Sequence, residues 1–306
     1  MRTIKLGKSR MDVPVIAVGC MRMNGLDKRA AEVFVRTALE LGAVFFDHAD
    51  IYGGGECEKI FAEAAGMNAN IRDNMILQSK CGIVPGKMFD FSKGHILESV
   101  DSILGRLKTD YLDVLLLHRP DALAEPEEVA EAFDILKANG KVRHFGVSNQ
   151  DPYFMQLLQN SLNQPIVANQ LQLSLTNATL ITQSLNMNIP DEHALDRDNG
   201  ALNFCRLNNI TVQAWSPFQY GTFAGAFLGN EKFPALNEKI NETAAKYGVS
   251  PTTITIAWIL RHPAKIMPVT GTMNIERLRD CVKAAEVNLS REDWYALYLA
   301  AGHRLP

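Results

Sequence analysis

The sequence predicts an α/β protein, a (β/α)8 TIM barrel with an N-terminal β-hairpin and an extra C-terminal helix. Three observations lead to this fold. Short, almost wholly apolar segments alternate eight times with longer amphipathic ones, as strands covered on both faces and their connecting helices must read. The 306 residues suit eight such units closed into one barrel. The fingerprint G-x-G-x-x-G does not follow the first strand, which argues against an open dinucleotide-binding sheet.

The elements follow in order. Roughly the first 14 residues read as a hairpin. The strand segments are Val15–Gly19, Ala43–Phe46, Met75–Ser79, Leu112–Leu117, Val142–Val147, Pro165–Gln170, Ile210–Trp215 and Ile266–Val269. Helical patterns cover Lys28–Leu41, Glu56–Ala65, Lys93–Leu107, Glu127–Ala138, Asp151–Leu162, Asn199–Leu207, Pro234–Tyr247, Pro251–Arg261 and Asn274–Ala285. Pro126 followed by two glutamates opens one helix, and Asn139-Gly140 closes it. Ser290–Gly302 is the extra helix. Two long loops, Ser174–Asp198 and Gln219–Phe233, follow strands six and seven, at the barrel face where active sites form. No linker, fixed-period repeat or low-complexity segment breaks the alternation, so one domain over 1–306 is expected.

Composition narrows the class. Apolar residues make up 47%, charged residues 21%, and the net charge is −3, which excludes a disordered chain. With no run of more than two Lys/Arg, no nucleic-acid surface is expected. No apolar stretch approaches the ~20 residues needed to span a bilayer, so no membrane association is expected. The N-terminus lacks the apolar segment of a signal peptide, and the five cysteines show no C-x-x-C spacing. Free thiols in a reducing cytoplasm are the expectation. No histidine pair has metal-site spacing. Nothing demands a stable multimer, so a monomer or weak oligomer is expected.

Polar residues collect where the apolar strands end. Asp47 closes strand two, Lys80 strand three and His118 strand four, and Tyr52 lies five residues beyond Asp47. Each alone has an ordinary structural reading: a loop cap, a snorkelling lysine, a satisfied histidine, a turn aromatic. Neighbouring strands lie about 4.8 Å apart, so at consecutive strand ends the four can meet. His48, beside Asp47, points the other way by strand alternation and is expected to be structural.

The surrounding motifs are Phe46-Asp47-His48-Ala49-Asp50-Ile51-Tyr52-Gly53, Gln78-Ser79-Lys80-Cys81-Gly82, Leu115-Leu116-Leu117-His118-Arg119-Pro120-Asp121, Gly140 to Asn149, and Asn169-Gln170. In this order they resemble the aldo-keto reductases, and most closely a bacterial subgroup of oxidoreductases with the D-H-A-D-I-Y-G form. The resemblance runs from the hairpin to about Ala285. It implies NADPH-dependent reduction of small aldehydes or ketones, with Tyr52 as general acid. Asp47 would hold Lys80, His118 would orient the carbonyl oxygen, and Lys80 would lower the pKa of the tyrosine from its usual ~10.

The resemblance also assigns a cofactor site. Ser148, Asn149 and Gln170 would hold the nicotinamide carboxamide, and Trp215 would stack on the ring. Ser216, Pro217 and Phe218 would cover the pyrophosphate, with Cys20 and Met21 at the nicotinamide ribose and substrate mouth. Gly271, Thr272 and Arg277, at a helix opening, would bind the 2′-phosphate. A lysine common in that segment is replaced here by Met273-Asn274, so NADPH is expected to be preferred moderately, with NADH also possible. A nicotinamide-nucleotide sensor with little turnover is the competing function, because one fold hosts many roles.

Overall fold

The computed structural model describes residues 1–306. Strands β1 (Thr3–Lys5) and β2 (Asp12–Pro14) pair as the antiparallel hairpin. Then come β3 (Ala17–Gly19), β4 (Phe45–Asp47) and β5 (Ile76–Cys81), and a small hairpin of β6 (Ile83–Val84) and β7 (Met88–Phe89). The chain continues through β8 (Leu112–Leu117), β9 (Val142–Ser148), β10 (Ile166–Gln172), β11 (Thr211–Trp215) and β12 (Met267–Thr270). Eight of these close a parallel barrel in the order β10-β11-β12-β3-β4-β5-β8-β9. The eight expected strand segments are its staves, with ends shifted by a residue or two.

The helices wrap the outside. Those at Glu56–Ala65, Lys93–Leu107 and Pro234–Tyr247 have the expected bounds. Pro126 itself opens the fifth-strand approach helix, Pro126–Ala138, at a position where its missing N–H is no loss. The extra helix is Arg291–Ala300, capped by Ser290. Some elements were not foreseen, namely the β6–β7 hairpin, the short helix Ala69–Arg72, and the helix Thr179–Leu185 inside the first long loop. All are too brief to leave a periodic signature. No helix is long and apolar enough to cross a membrane.

The barrel interior is divided into two layers. At its amino-terminal end Leu6 and Val13 of the hairpin join Ala17, Phe45, Val114, Leu116, Val167, Ala168, Met267 and Val269 in one apolar cluster. The hairpin therefore plugs that end, and the Gly7 amide anchors it by donating to Thr211 Oγ1 at 2.8 Å. A larger apolar cluster lies between staves and helices. Asp113, which faces outward from β8, is buried but paired with Arg72 at 2.7 Å and Arg143 at 3.1 Å. A buried carboxylate requires such partners.

Gly146 shows how tightly the interior closes. A Cβ there would lie 2.7 Å from Leu116 Cδ2 and 2.8 Å from the Ala168 carbonyl oxygen. Gly146→Ala should therefore destabilise the fold by about 1–3 kcal/mol, read as a lower urea midpoint. An unchanged midpoint would show that the interior has slack at this level.

Candidate active site

Strand alternation carries polar side chains into the carboxyl-terminal half of the barrel. Register sets Asp47 beside Gln78 and Gln170 beside Gln213. Gln78 Nε2 donates to Asp47 Oδ1 at 2.6 Å, and Gln170 Nε2 donates to the same oxygen at 3.0 Å. Gln213 Oε1 accepts from both glutamines, at 2.8 and 2.9 Å. Asp47 Oδ2 is left for Lys80, whose Nζ donates to it at 2.8 Å. Lys80 also donates to the His48 carbonyl at 2.7 Å and to Tyr52 Oη at 3.1 Å. Its three donors are thus fully used.

Lys80 lies inside β5 rather than at its end, and its side chain has no exposure. Burial opposes its charge, but Asp47 and Tyr52 more than offset it and hold the ammonium above its usual pKa. Tyr52 begins a tight 3-10 turn, Tyr52–Gly55, in which the next three glycines all have positive φ. Gly55 is required there twice over. Its φ is +91°, and a Cβ would meet Arg106 Cδ at 2.8 Å.

The tyrosine differs from the sequence expectation. Lys80 does pull its pKa down, but burial pushes harder, and the net shift is upward from the ordinary phenol. Tyr52 is consequently a protonated phenol at neutral pH. His118 follows β8 directly, its amide still donating to the Cys81 carbonyl at 2.9 Å. Its ring meets that of Tyr52 edge-on, centroids 6.0 Å apart. Burial, then Lys80 and Arg119, hold His118 well below the usual histidine pKa, so it is neutral. Its Nδ1 is buried with no partner. His48 points away, packs edge-on against Phe61 at 4.6 Å, and is pushed down to about 3 by burial and then Lys80.

The loop bearing Tyr52 rests on a second charged cluster. Glu58 accepts from Arg106 at 2.6 Å and from Ser79 at 2.7 Å. Asp50 lies nearby, its pKa raised to about 7 by burial and then by Glu58.

The remaining site residues ring this cluster. Ser148 Oγ donates to the Gln170 carbonyl at 3.0 Å, and Asn149, at φ +59°, donates to Ser148 Oγ at 2.8 Å. Trp215 Nε1 donates to Asn149 Oδ1 at 3.1 Å, and its ring stacks on Phe223 at 5.7 Å. Ser216 has φ +52° and opens a turn through buried Pro217 and half-buried Phe218. Cys20 is buried, its amide donating to the Asp47 carbonyl at 2.9 Å, and the half-buried Met21 follows it.

After β12, the Gly271 carbonyl accepts from Arg22 at 3.0 Å, and Thr272 Oγ1 accepts the Asn274 amide at 3.1 Å. Asn274 caps the helix Ile275–Lys283, and the Arg277 side chain is exposed on its first turn. A cavity of about 510 Å³ lies here, lined by Asp27, Arg29, Asn274 and Glu276 among others. None of Asp47, Tyr52, Lys80 or His118 lines it.

Sequence reasoning missed Gln78, Gln213, Arg22 and Arg119. The two glutamines had a signal, since each interrupts an otherwise apolar buried strand. The two arginines had none, because single arginines in loops are ordinary. Chemically, the cluster offers a phenol donor whose conjugate anion would lie beside a fixed ammonium, with a neutral imidazole alongside.

The chain is similar in sequence and in fold to known oxidoreductases. The chain is 36% identical over 302 residues to the uncharacterized oxidoreductase YcsN of Bacillus subtilis, covering 94% of each. It is 36% identical over 277 residues to a 6-dehydroglucose reductase of Agrobacterium fabrum, covering 87% of this chain and 86% of that one. The crystal structure of an aldo-keto reductase from Klebsiella pneumoniae in complex with NADPH superposes with a TM-score of 0.78 at 24% identity, covering 99% and 96%. The model of the aldo/keto reductase family matches residues 15–298. With that match spanning the whole barrel, this chain belongs to the aldo/keto reductase family of oxidoreductases.

Proposed function

We propose that the chain reduces aldehydes or ketones to alcohols with NADPH, Tyr52 donating the proton. The observation that carries this reading is the buried Lys80 Nζ, hydrogen-bonded at once to Asp47 and to Tyr52 Oη. The bound nicotinamide supplies the hydride. Tyr52 gives its proton to the carbonyl oxygen, and the phenolate charge left behind meets the Lys80 ammonium. Asp47 keeps that ammonium charged and fixed. The neutral His118 turns the carbonyl oxygen toward the phenol.

The residues present fit a nicotinamide cofactor. Gln170 spends its side-chain Nε2 on Asp47 and Gln213, which leaves its side-chain Oε1 free to accept from a carboxamide. Asn149 and Ser148 stand beside it, and Trp215 offers a half-buried aromatic face. At the far end Arg277 is unpaired by any salt bridge, and the capped helix start supplies backbone amides. Arg22 and Arg29 add cations where Met273-Asn274 replace a lysine.

Tyr52→Phe should lower kcat about 10²–10⁴-fold on a reactive aldehyde while leaving NADPH affinity unchanged. Near wild-type kcat in that variant would remove the acid from this role. NADPH should bind more tightly than NADH, and Arg277→Ala should erase about 10- to 100-fold of the difference. Quenching of tryptophan fluorescence gives both dissociation constants. Equal affinities in the wild type, or equal losses for both cofactors in the variant, would contradict the 2′-phosphate assignment.

A further inference from the structure

Arg119 follows His118 at the carboxyl end of β8 and is half-buried. Its guanidinium carbon lies 5.7 Å from the centre of the Trp215 ring. Burial pulls its pKa down, and the one titratable group that opposes this is Tyr52. No salt bridge or hydrogen bond within the chain satisfies the guanidinium. The acid closest in sequence, Asp121, is committed elsewhere. Its Oδ2 accepts the Phe91 amide at 2.8 Å and its Oδ1 the Leu123 amide at 2.9 Å.

A partly buried cation without a counter-ion is unfavourable, and burying it is offset only when an anion arrives. A guanidinium also matches a carboxylate or phosphate in planar, two-point fashion. Arg119 stands next to His118 at the carboxyl end of β8, within electrostatic reach of the Tyr52 phenol. We propose that Arg119 binds an anionic group, carboxylate or phosphate ester, carried by the carbonyl substrate. The favoured substrates are then oxo acids and acid-bearing aldehydes rather than neutral carbonyls. This rests on the carbonyl-reduction reading above and assigns the substrate class of that site.

Matched substrate pairs test it. Steady-state kcat/KM is measured with NADPH for succinic semialdehyde against butanal, and for glyceraldehyde 3-phosphate against glyceraldehyde, in wild type and Arg119→Gln. The wild type should favour the charged member of at least one pair by about 10- to 100-fold, and which pair responds tells carboxylate from phosphate. Arg119→Gln should lose that preference, its kcat/KM falling about 10- to 100-fold more on the charged member than on the neutral one, with its NADPH dissociation constant kept. Arg119→Lys should retain part of the preference.

An equal preference in wild type and Arg119→Gln, or none in either, would overturn the proposal. So would a variant that loses NADPH binding, which would make Arg119 a cofactor residue, or one that loses all aldehydes alike. Calorimetric titration of the cofactor-bound protein with succinate and with inorganic phosphate separates the two readings. If the wild type reduces no aldehyde, carbonyl reduction fails as a function. Arg119 is then judged by whether either anion binds to wild type and not to Arg119→Gln.

Discussion

A lysine ammonium with no solvent exposure lies inside the barrel, and much of the site's architecture follows from accommodating it. Removing such a charge from water is penalised by several kcal/mol unless it is paired and fully hydrogen-bonded. Lys80 has three acceptors, from Asp47, the His48 carbonyl and Tyr52. Asp47 in turn needs donors for its second oxygen, which Gln78 and Gln170 supply, and Gln213 completes both amides. One polar network thus ties β4, β5, β10 and β11 together above the apolar plug. The plug keeps water from entering at the opposite end.

The same charge orders the ionisation of its neighbours. Lys80 adds to burial in keeping His48 and His118 neutral. It opposes burial at Tyr52 without overcoming it, so the phenol stays protonated. A protonated phenol, a neutral imidazole and a charged ammonium are a set suited to giving up one proton and stabilising the charge that remains. On the outer side of the loop Glu58 and Arg106 fix the tight turn that carries Tyr52.

The staves and most helices were legible because their periodicity is long and their caps explicit. Pro126, Ser290 and Asn139-Gly140 mark ends chemically, whatever the tertiary context. Asp47, Lys80, His118 and Tyr52 were legible because polar residues at the ends of apolar strands stand out. The glutamine layer was visible only as interruptions in apolar runs, and its partners depend on barrel register, which no single strand encodes. The net shift at Tyr52 was misread because burial, the larger influence, comes from packing. Arg119 was hidden because its meaning is the absence of a counter-ion, a property of three-dimensional surroundings. The long loops resisted reading for the same reason, and the helix Thr179–Leu185 emerged inside one of them.

The coupling of Lys80 to Tyr52 is tested most directly by the pH dependence of kcat for alcohol oxidation with NADP⁺, where the proposed mechanism makes the Tyr52 phenolate the base. Wild type is compared with Lys80→Met and with Asp47→Asn/Lys80→Met, which removes the stranded carboxylate as well as the ammonium and so guards against loss of fold. The expected result is a rising limb displaced to higher pH in both variants, or moved out of range, with maximal rates lower by about 10²–10⁴-fold. A limb at the wild-type position in a folded variant would contradict it, and would leave Lys80 a structural charge with no hold on the proton.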